Sequence, residues 1–186
     1  CTTRFIERHT SIICFRSLLS YIYEALDEMS HWQSTNARKR ANFIRNSIAN
    51  SEFIVSLVIL ERISGMLLPT TRTLQNVGLD FLNAMNSISN LILTLENFRT
   101  EESFTELFKE VEEIAKSLCL TLVKPRTASR SVYRASSGAS DVSKYYYRIN
   151  VFYLTLDIVI SDLKLRFGPK QQAASGFHSI VPAYMR

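Results

Sequence analysis

Apolar side chains recur at three- and four-residue intervals along most of this chain, the period of an amphipathic α-helix. Ile12, Phe15, Leu18, Leu19, Ile22, Leu26 and Met29 form one stripe and predict a first helix from about Thr10 to Ser30. After His31, Trp32 and Gln33, Ser34 or Thr35 offers a side-chain oxygen to the free amides of a second helix through Asn50. Its substantial apolar side chains are Phe43, Ile44 and Ile48, which predicts a half-exposed element. The capping pattern repeats at Ser51, and Phe53 to Leu68 reads as a strongly apolar central helix. Pro69 is expected to end or kink it, because proline donates no backbone hydrogen bond. A further helical stretch covers Thr70 to Val77, and after Gly78 the residues Leu79, Leu82, Met85, Ile88, Leu91, Ile92 and Leu95 define the next long helix.

Thr100 restarts the pattern, and Phe104, Leu107, Phe108, Val111, Ile114, Ala115 and Leu118 make the clearest stripe in the chain. Glu101 and Glu102 stand at the positive end of that helix dipole. Between Val123 and Ser143 the period disappears among serines and arginines, as in a loop. A final helix is predicted from about Val142 to Phe167, with Ile149, Phe152, Tyr153, Leu156, Val159, Ile160 and Leu163 inward and Gly168-Pro169 as its stop. The pattern predicts an all-α fold, an irregular multi-helix bundle of about six helices with a basic Ser/Arg-rich loop before the last long helix. Residues 1–123 make the helical bundle, 124–142 a basic flexible loop, 143–167 the long helix and 168–186 an irregular tail.

Composition excludes several classes. With 186 residues, 46% hydrophobic and 21% charged, the chain can bury a sizeable core. No uninterrupted apolar run approaches the ~20 residues that cross a bilayer, so no membrane partner is expected. Cys1, Cys14 and Cys119 are too few and too scattered for a disulfide framework, which fits a reducing compartment. Cys1, His9 and Cys14 come nearest to a metal constellation, but zinc needs four ligands and no paired spacing accompanies them, so no metal site is expected. Cys14 reads as a small buried hydrophobe, and His9, His31 and His178 as surface or packing residues.

Charge is distributed unevenly. Between Lys124 and Arg148 lie six basic residues, Lys124, Arg126, Arg130, Arg134, Lys144 and Arg148, against the single acid Asp141. Their surplus equals the formal net charge of +5 for the whole chain. Arginines separated by small hydroxyl residues can reach phosphates, and Tyr133, Tyr145, Tyr146 and Tyr147 offer faces for unpaired bases, so this segment is the nucleic-acid candidate. The alternative is a solvated linker whose tyrosines belong to the rim of the last helix. Arg38, Lys39 and Arg40 with Arg45 make a second basic helical face, which otherwise simply meets water.

The segment Cys1-Thr2-Thr3-Arg4-Phe5-Ile6-Glu7-Arg8-His9 resembles the Cys-x-Thr-Arg-Trp-x-Glu-Arg-His opening of the helical insertion in hAT-type transposases, with Phe5 in place of Trp. The branch is the one holding zinc finger MYM-type proteins and repressors of the inhibitor of the protein kinase. Ser51 to Glu61, Leu74-Gln75 and Leu79 to Ala84 resemble its central helices. Phe98-Arg99, Lys124 to Arg126, Tyr146 to Arg148, Leu156-Asp157 and Leu165 to Phe167 resemble the segments leading back to the transposase core.

The resemblance implies an excerpt from a nuclear, transposase-derived protein, the all-α insertion of an RNase H-like domain. It implies DNA as partner, transposon-end-like or non-specific, and a homo-oligomer. It adds Arg4 and Phe5 to the DNA-binding candidates, Phe5 stacking on a displaced base or else packing the first helix. The family's three catalytic carboxylates hold two divalent metal ions. Two of them precede the matching segment and one follows it, so no residue here is assigned to catalysis, no cofactor is expected in the fragment, and a divalent metal belongs to a full-length catalytic parent. The expected function is a non-catalytic helical portion that supports DNA binding and protomer association. The alternatives are a helical protein–protein interaction module of a transcriptional regulator, and a decayed transposon relic.

Overall fold

Asn50 holds an extended backbone (φ −110°, ψ 135°), and its side chain accepts the Glu52 amide at 3.0 Å, so the chain turns there into its longest helix. The structure is a computed structural model that describes residues 4–75, 81–125 and 140–168. In chain order the helices are α1 (Arg4–Ser17), α2 (Leu19–Met29), α3 (Thr35–Ile48), α4 (Ser51–Leu74), α5 (Phe81–Phe98), α6 (Glu101–Ser117), α7 (Ser140–Tyr147), a π-helical turn (Arg148–Tyr153) and α8 (Leu154–Phe167). The fold is all-α, a multi-helix bundle as the periodicity predicts, with no strand among the described residues.

Helix α4 is the axis. Ile54, Val55, Leu57, Val58, Ile59 and Ile63 are buried on it, and α1, α5 and α6 pack around it. By length and mean hydropathy α4 is apolar enough to cross a membrane, although no uninterrupted apolar run shows it; here Ile54, Val55, Leu57, Val58, Ile59 and Ile63 lie in the core, while Leu60 and Leu74 are exposed. The helix also runs through Pro69, where the sequence predicts an end or a kink, so the stretch after it belongs to the same element as far as Leu74. The carbonyls near the proline receive other donors: Thr71 Oγ1 donates to Leu67 O at 2.9 Å and Thr73 Oγ1 to Pro69 O at 3.1 Å. The ring crowds the carbonyl of residue 65, which is a glycine.

The predicted first helix is two. It breaks at Leu18 because its halves meet different neighbours, α1 lying on α4 and α2 on α3. Ser17 Oγ donates to Cys14 O at 2.8 Å, a local bond that bends helices. An ionic node then ties α1 to the core helices, with Arg16 donating to Glu61 and to Glu110, each at 2.7 Å, while Arg62 also reaches Glu110. Burial opposes the Arg16 charge, but the two carboxylates hold its pKa above the ordinary value.

Helix α6 follows its predicted stripe, with Phe104, Leu107, Phe108, Val111 and Ala115 buried and Thr100 accepting the Ser103 amide at 3.2 Å. It closes with Cys119 in the left-handed region (φ 54°), the Cys119 amide bonding Lys116 O and the Leu120 amide bonding Ala115 O. That is the terminal turn glycine usually occupies.

The last helix departs from a uniform period. Its buried positions are Ser143, Tyr147, Phe152, Leu156 and Ile160, so the gap between Tyr147 and Phe152 is five residues and the others four. The π-helical turn supplies the extra residue and keeps both halves facing the core. Tyr147, read from the sequence as a base-stacking candidate, thereby turns inward, and Ile149, read as core, turns outward. Phe152 meets Phe104 at 5.3 Å and Phe98 at 5.4 Å between ring centroids, which places this helix in the same core as α4 to α6. Tyr147 donates its hydroxyl to Val123 O at 2.7 Å, and the Val123 amide donates to the buried Ser51 Oγ at 3.0 Å. Both sides of Val123 are thus satisfied from within the core.

Three outcomes follow from these contacts. Deleting Asn150 turns the five-residue gap into an ordinary four and should leave the fold intact by circular dichroism, whereas deleting Thr155 rotates α8 by about 100° and should unfold it. Burial pushes the Tyr147 hydroxyl up to about 12. Because the neutral form is favoured in the fold, its contribution is complete below about pH 10 and is lost as pH rises through about 12, roughly 2 to 3 kcal/mol in total. Denaturant titrations should show that alkaline loss in the wild type and not in Tyr147→Phe, which is itself weaker by about 1–2 kcal/mol at neutral pH. Cys119→Gly, which removes the side chain from a left-handed position, should raise stability by roughly 0.5–1 kcal/mol in the same assay.

Candidate nucleic-acid interface

The basic segment begins and ends at one place. Val123 and Tyr147 are joined by the 2.7 Å hydrogen bond, so Lys124 on one side and Lys144 on the other stand at the two feet of the same segment. Lys124 is exposed, with its ammonium 5.5 Å from the Tyr146 ring centroid. Lys144 is half-buried, with its ammonium 6.0 Å from the Phe108 ring centroid. A ring face attracts a cation through its quadrupole, so each ammonium is held near its ring. Tyr146 meets Tyr147 edge-on at 5.4 Å, fixing the ring beneath Lys124.

Arg148 is differently placed. Its guanidinium pairs with Glu101, lies 5.4 Å from the Tyr145 ring centroid, and keeps a buried Nε without a hydrogen-bond partner. It therefore joins the π-helical turn to the start of α6. Among the tyrosines of this stretch, Tyr145 is 60% exposed and offers an open face, Tyr146 is half-covered and Tyr147 is fully buried. Base stacking at Tyr147 is thus overturned, because the extra residue of the π-turn rotates it into the core. Arg126, Arg130, Arg134 and Tyr133 lie outside the described residues, and Arg4 and Phe5 stand on the first turn of α1, where only the backbone is described.

The second basic face is split. Arg45 is drawn to Asp27, while Arg38, Lys39 and Arg40 are exposed on α3. Neither acid of the last helix is free for metal chemistry. Asp157 accepts two bonds from Arg99 at 2.6 and 2.8 Å, and Asp162 pairs with Arg166. The Arg99 hydrogen bonds hold the Asp157 carboxyl below its usual range. Among the described residues no group of three His, Cys, Asp or Glu side chains is placed to hold a metal ion. His9 is a packing residue, its Nδ1 2.9 Å from Ser64 Oγ in a buried contact.

One surface the sequence reading missed lies on α8. Leu154, Ile158 and Leu165 are exposed at 53%, 60% and 76%, and with Ser161 they repeat at four, three and four residues along the outer side. Asp157, Ile158, Ser161, Asp162 and Leu165 line a shallow open depression there. The signal was present in the sequence as a second apolar stripe, out of phase with the one that packs inward.

No known family profile matches the chain, and no solved structure matches it. It is similar to the human 52 kDa repressor of the inhibitor of the protein kinase, with 23% identity over 195 aligned residues. The alignment covers 100% of this chain and 25% of that protein. The chain thus spans a quarter of the length of a curated protein to which it is distantly related.

Proposed function

We propose that this chain is the non-catalytic helical part of a nuclear, hAT-transposase-derived regulator, and that it binds DNA and supports protomer association. The observation that carries the DNA reading is the clamping of both feet of the basic segment, through Tyr147 and Val123, onto one end of the bundle. Besides Arg148, which Glu101 holds, the segment carries five bases against one acid, and fixing Lys124 and Lys144 at its two feet leaves less ordering to be done there when a phosphate backbone arrives. The similarity along the whole chain to a protein named as a repressor supports the regulatory half of the reading. The acids on α8 are engaged with arginines, which suits a part that positions DNA and leaves cleavage to other domains.

A second reading has its own observation, the outward stripe of Leu154, Ile158 and Leu165, whose spacing suits a partner helix. Salt separates the two. Fluorescence anisotropy with a labelled duplex of mixed sequence should give an affinity that falls with a log–log slope of about −3 or steeper, since each phosphate contact contributes about −0.9. Reversing Arg126, Arg130 and Arg134 to Glu should weaken binding at least tenfold while the thermal midpoint stays unchanged. Affinity that ignores both salt and charge reversal, or no duplex binding at all, overturns the DNA reading.

A further inference from the structure

Helix α3 carries Arg38, Lys39, Arg40 and Arg45 and no acid along its 14 residues. Only Ala41 and Ile48 are buried, and the helix rests chiefly on α2 and lightly on α4. Its opposite side presents Asn36, Lys39, Arg40, Phe43, Asn46 and Ser47 at helical spacing, all exposed. Phe43 is 74% exposed, the most open aromatic side chain among the described residues, and it shares its side of the helix with Lys39, Arg40, Asn36 and Asn46, with the 47% exposed Ile44 next to it in the chain. Burial does not explain its position, because the side that packs on the bundle is the other one.

We infer that α3 enters the major groove of duplex DNA and reads base edges through Lys39, Arg40, Phe43 and Asn46. The inference rests on the DNA-binding reading and deepens it by naming a second contact, away from the basic segment at Val123. The chemistry fits base edges one by one. Lysine and arginine donate to the guanine acceptors, asparagine pairs with the adenine edge in both directions, and an apolar ring meets the thymine methyl. A helix of this length spans about 21 Å and fits a groove about 12 Å wide. Helix α3 itself carries no acid to repel the phosphates; the exposed acids of its neighbour α2 are Glu24, Asp27 and Glu28, of which Asp27 is paired with Arg45. An anionic membrane suits the same charge less well, since an interfacial helix needs a broad apolar face and α3 exposes only Phe43 and Ile44 as large apolar side chains, among Asn36, Lys39, Arg40 and Asn46.

The test is selection of bound sequences from a random duplex pool by the whole chain, together with anisotropy on the selected and scrambled duplexes. The wild type should enrich a motif and prefer it roughly tenfold or more, since one good base pairing discriminates by about 1–3 kcal/mol. Phe43→Ala combined with Asn46→Ala should lose that preference while retaining affinity for the scrambled duplex within about threefold, and its circular dichroism and thermal midpoint should match the wild type. If the wild type binds duplex but the double variant keeps the same preference, or neither shows one, the α3 inference fails and the DNA-binding reading stands. If the wild type binds no duplex, both fail. Binding to phosphatidylserine vesicles that the double variant loses, with duplex binding unchanged, also overturns the inference.

Discussion

The peptide groups of Val123 hold together the end of the bundle from which the basic segment springs. One buried hydroxyl, Ser51 Oγ, accepts its amide, and another, from Tyr147, donates to its carbonyl, so the start of α4, the segment after α6 and the end of α7 meet at one residue. Each bond is worth only about 1 kcal/mol net. Ser51 and Tyr147 are buried while Val123 itself is 58% exposed, so the two hydroxyls find their partners in a backbone segment at the edge of the core. The π-helical turn makes the arrangement feasible by adding the residue that lets Tyr147 and Phe152 share one face.

A division of charge follows from the packing. The acids that face other helices are taken by bases: Glu61 and Glu110 by Arg16, Asp157 by Arg99, Glu96 by Lys164, Asp27 by Arg45, and Glu101 by Arg148. These pairs sit at helix junctions and are too exposed for large individual contributions, but they consume the acidic side chains locally. Arg38, Lys39 and Arg40 on α3 and Lys124 at the foot of the basic segment are exposed and have no acid partner among the described residues. Exposed bases at α3 and at the foot of the basic segment suit a polyanion with two points of contact.

The helices with one long face were legible from periodicity, α6 most of all, because Phe104 to Ala115 keep a single phase against one neighbour. What the sequence concealed were places where tertiary contacts override local rules. Leu18 interrupts a continuous stripe because α1 and α2 need different partners, and α4 continues through Pro69 to Leu74. Cys119 takes a turn that composition would assign to glycine. The same limit governs the candidate site. A uniform period put Tyr147 outside and Ile149 inside, and one inserted residue exchanges them. Lys124 and Lys144 stand where a basic segment would need them, and Arg148, equally basic in sequence, is held by Glu101. Phe43 was visible as an apolar position on α3, but its exposure follows from the side on which α2 packs.

The central claim, that this bundle meets duplex DNA through α3 and the clamped basic segment, is tested most directly by hydrogen–deuterium exchange of the whole chain with and without a duplex. Slower exchange over residues 35–48 and 123–148, with the outer face of α8 unchanged, is the result the account predicts. Slowing confined to Leu154 to Leu165, or none at all under conditions where the duplex is bound, would contradict it.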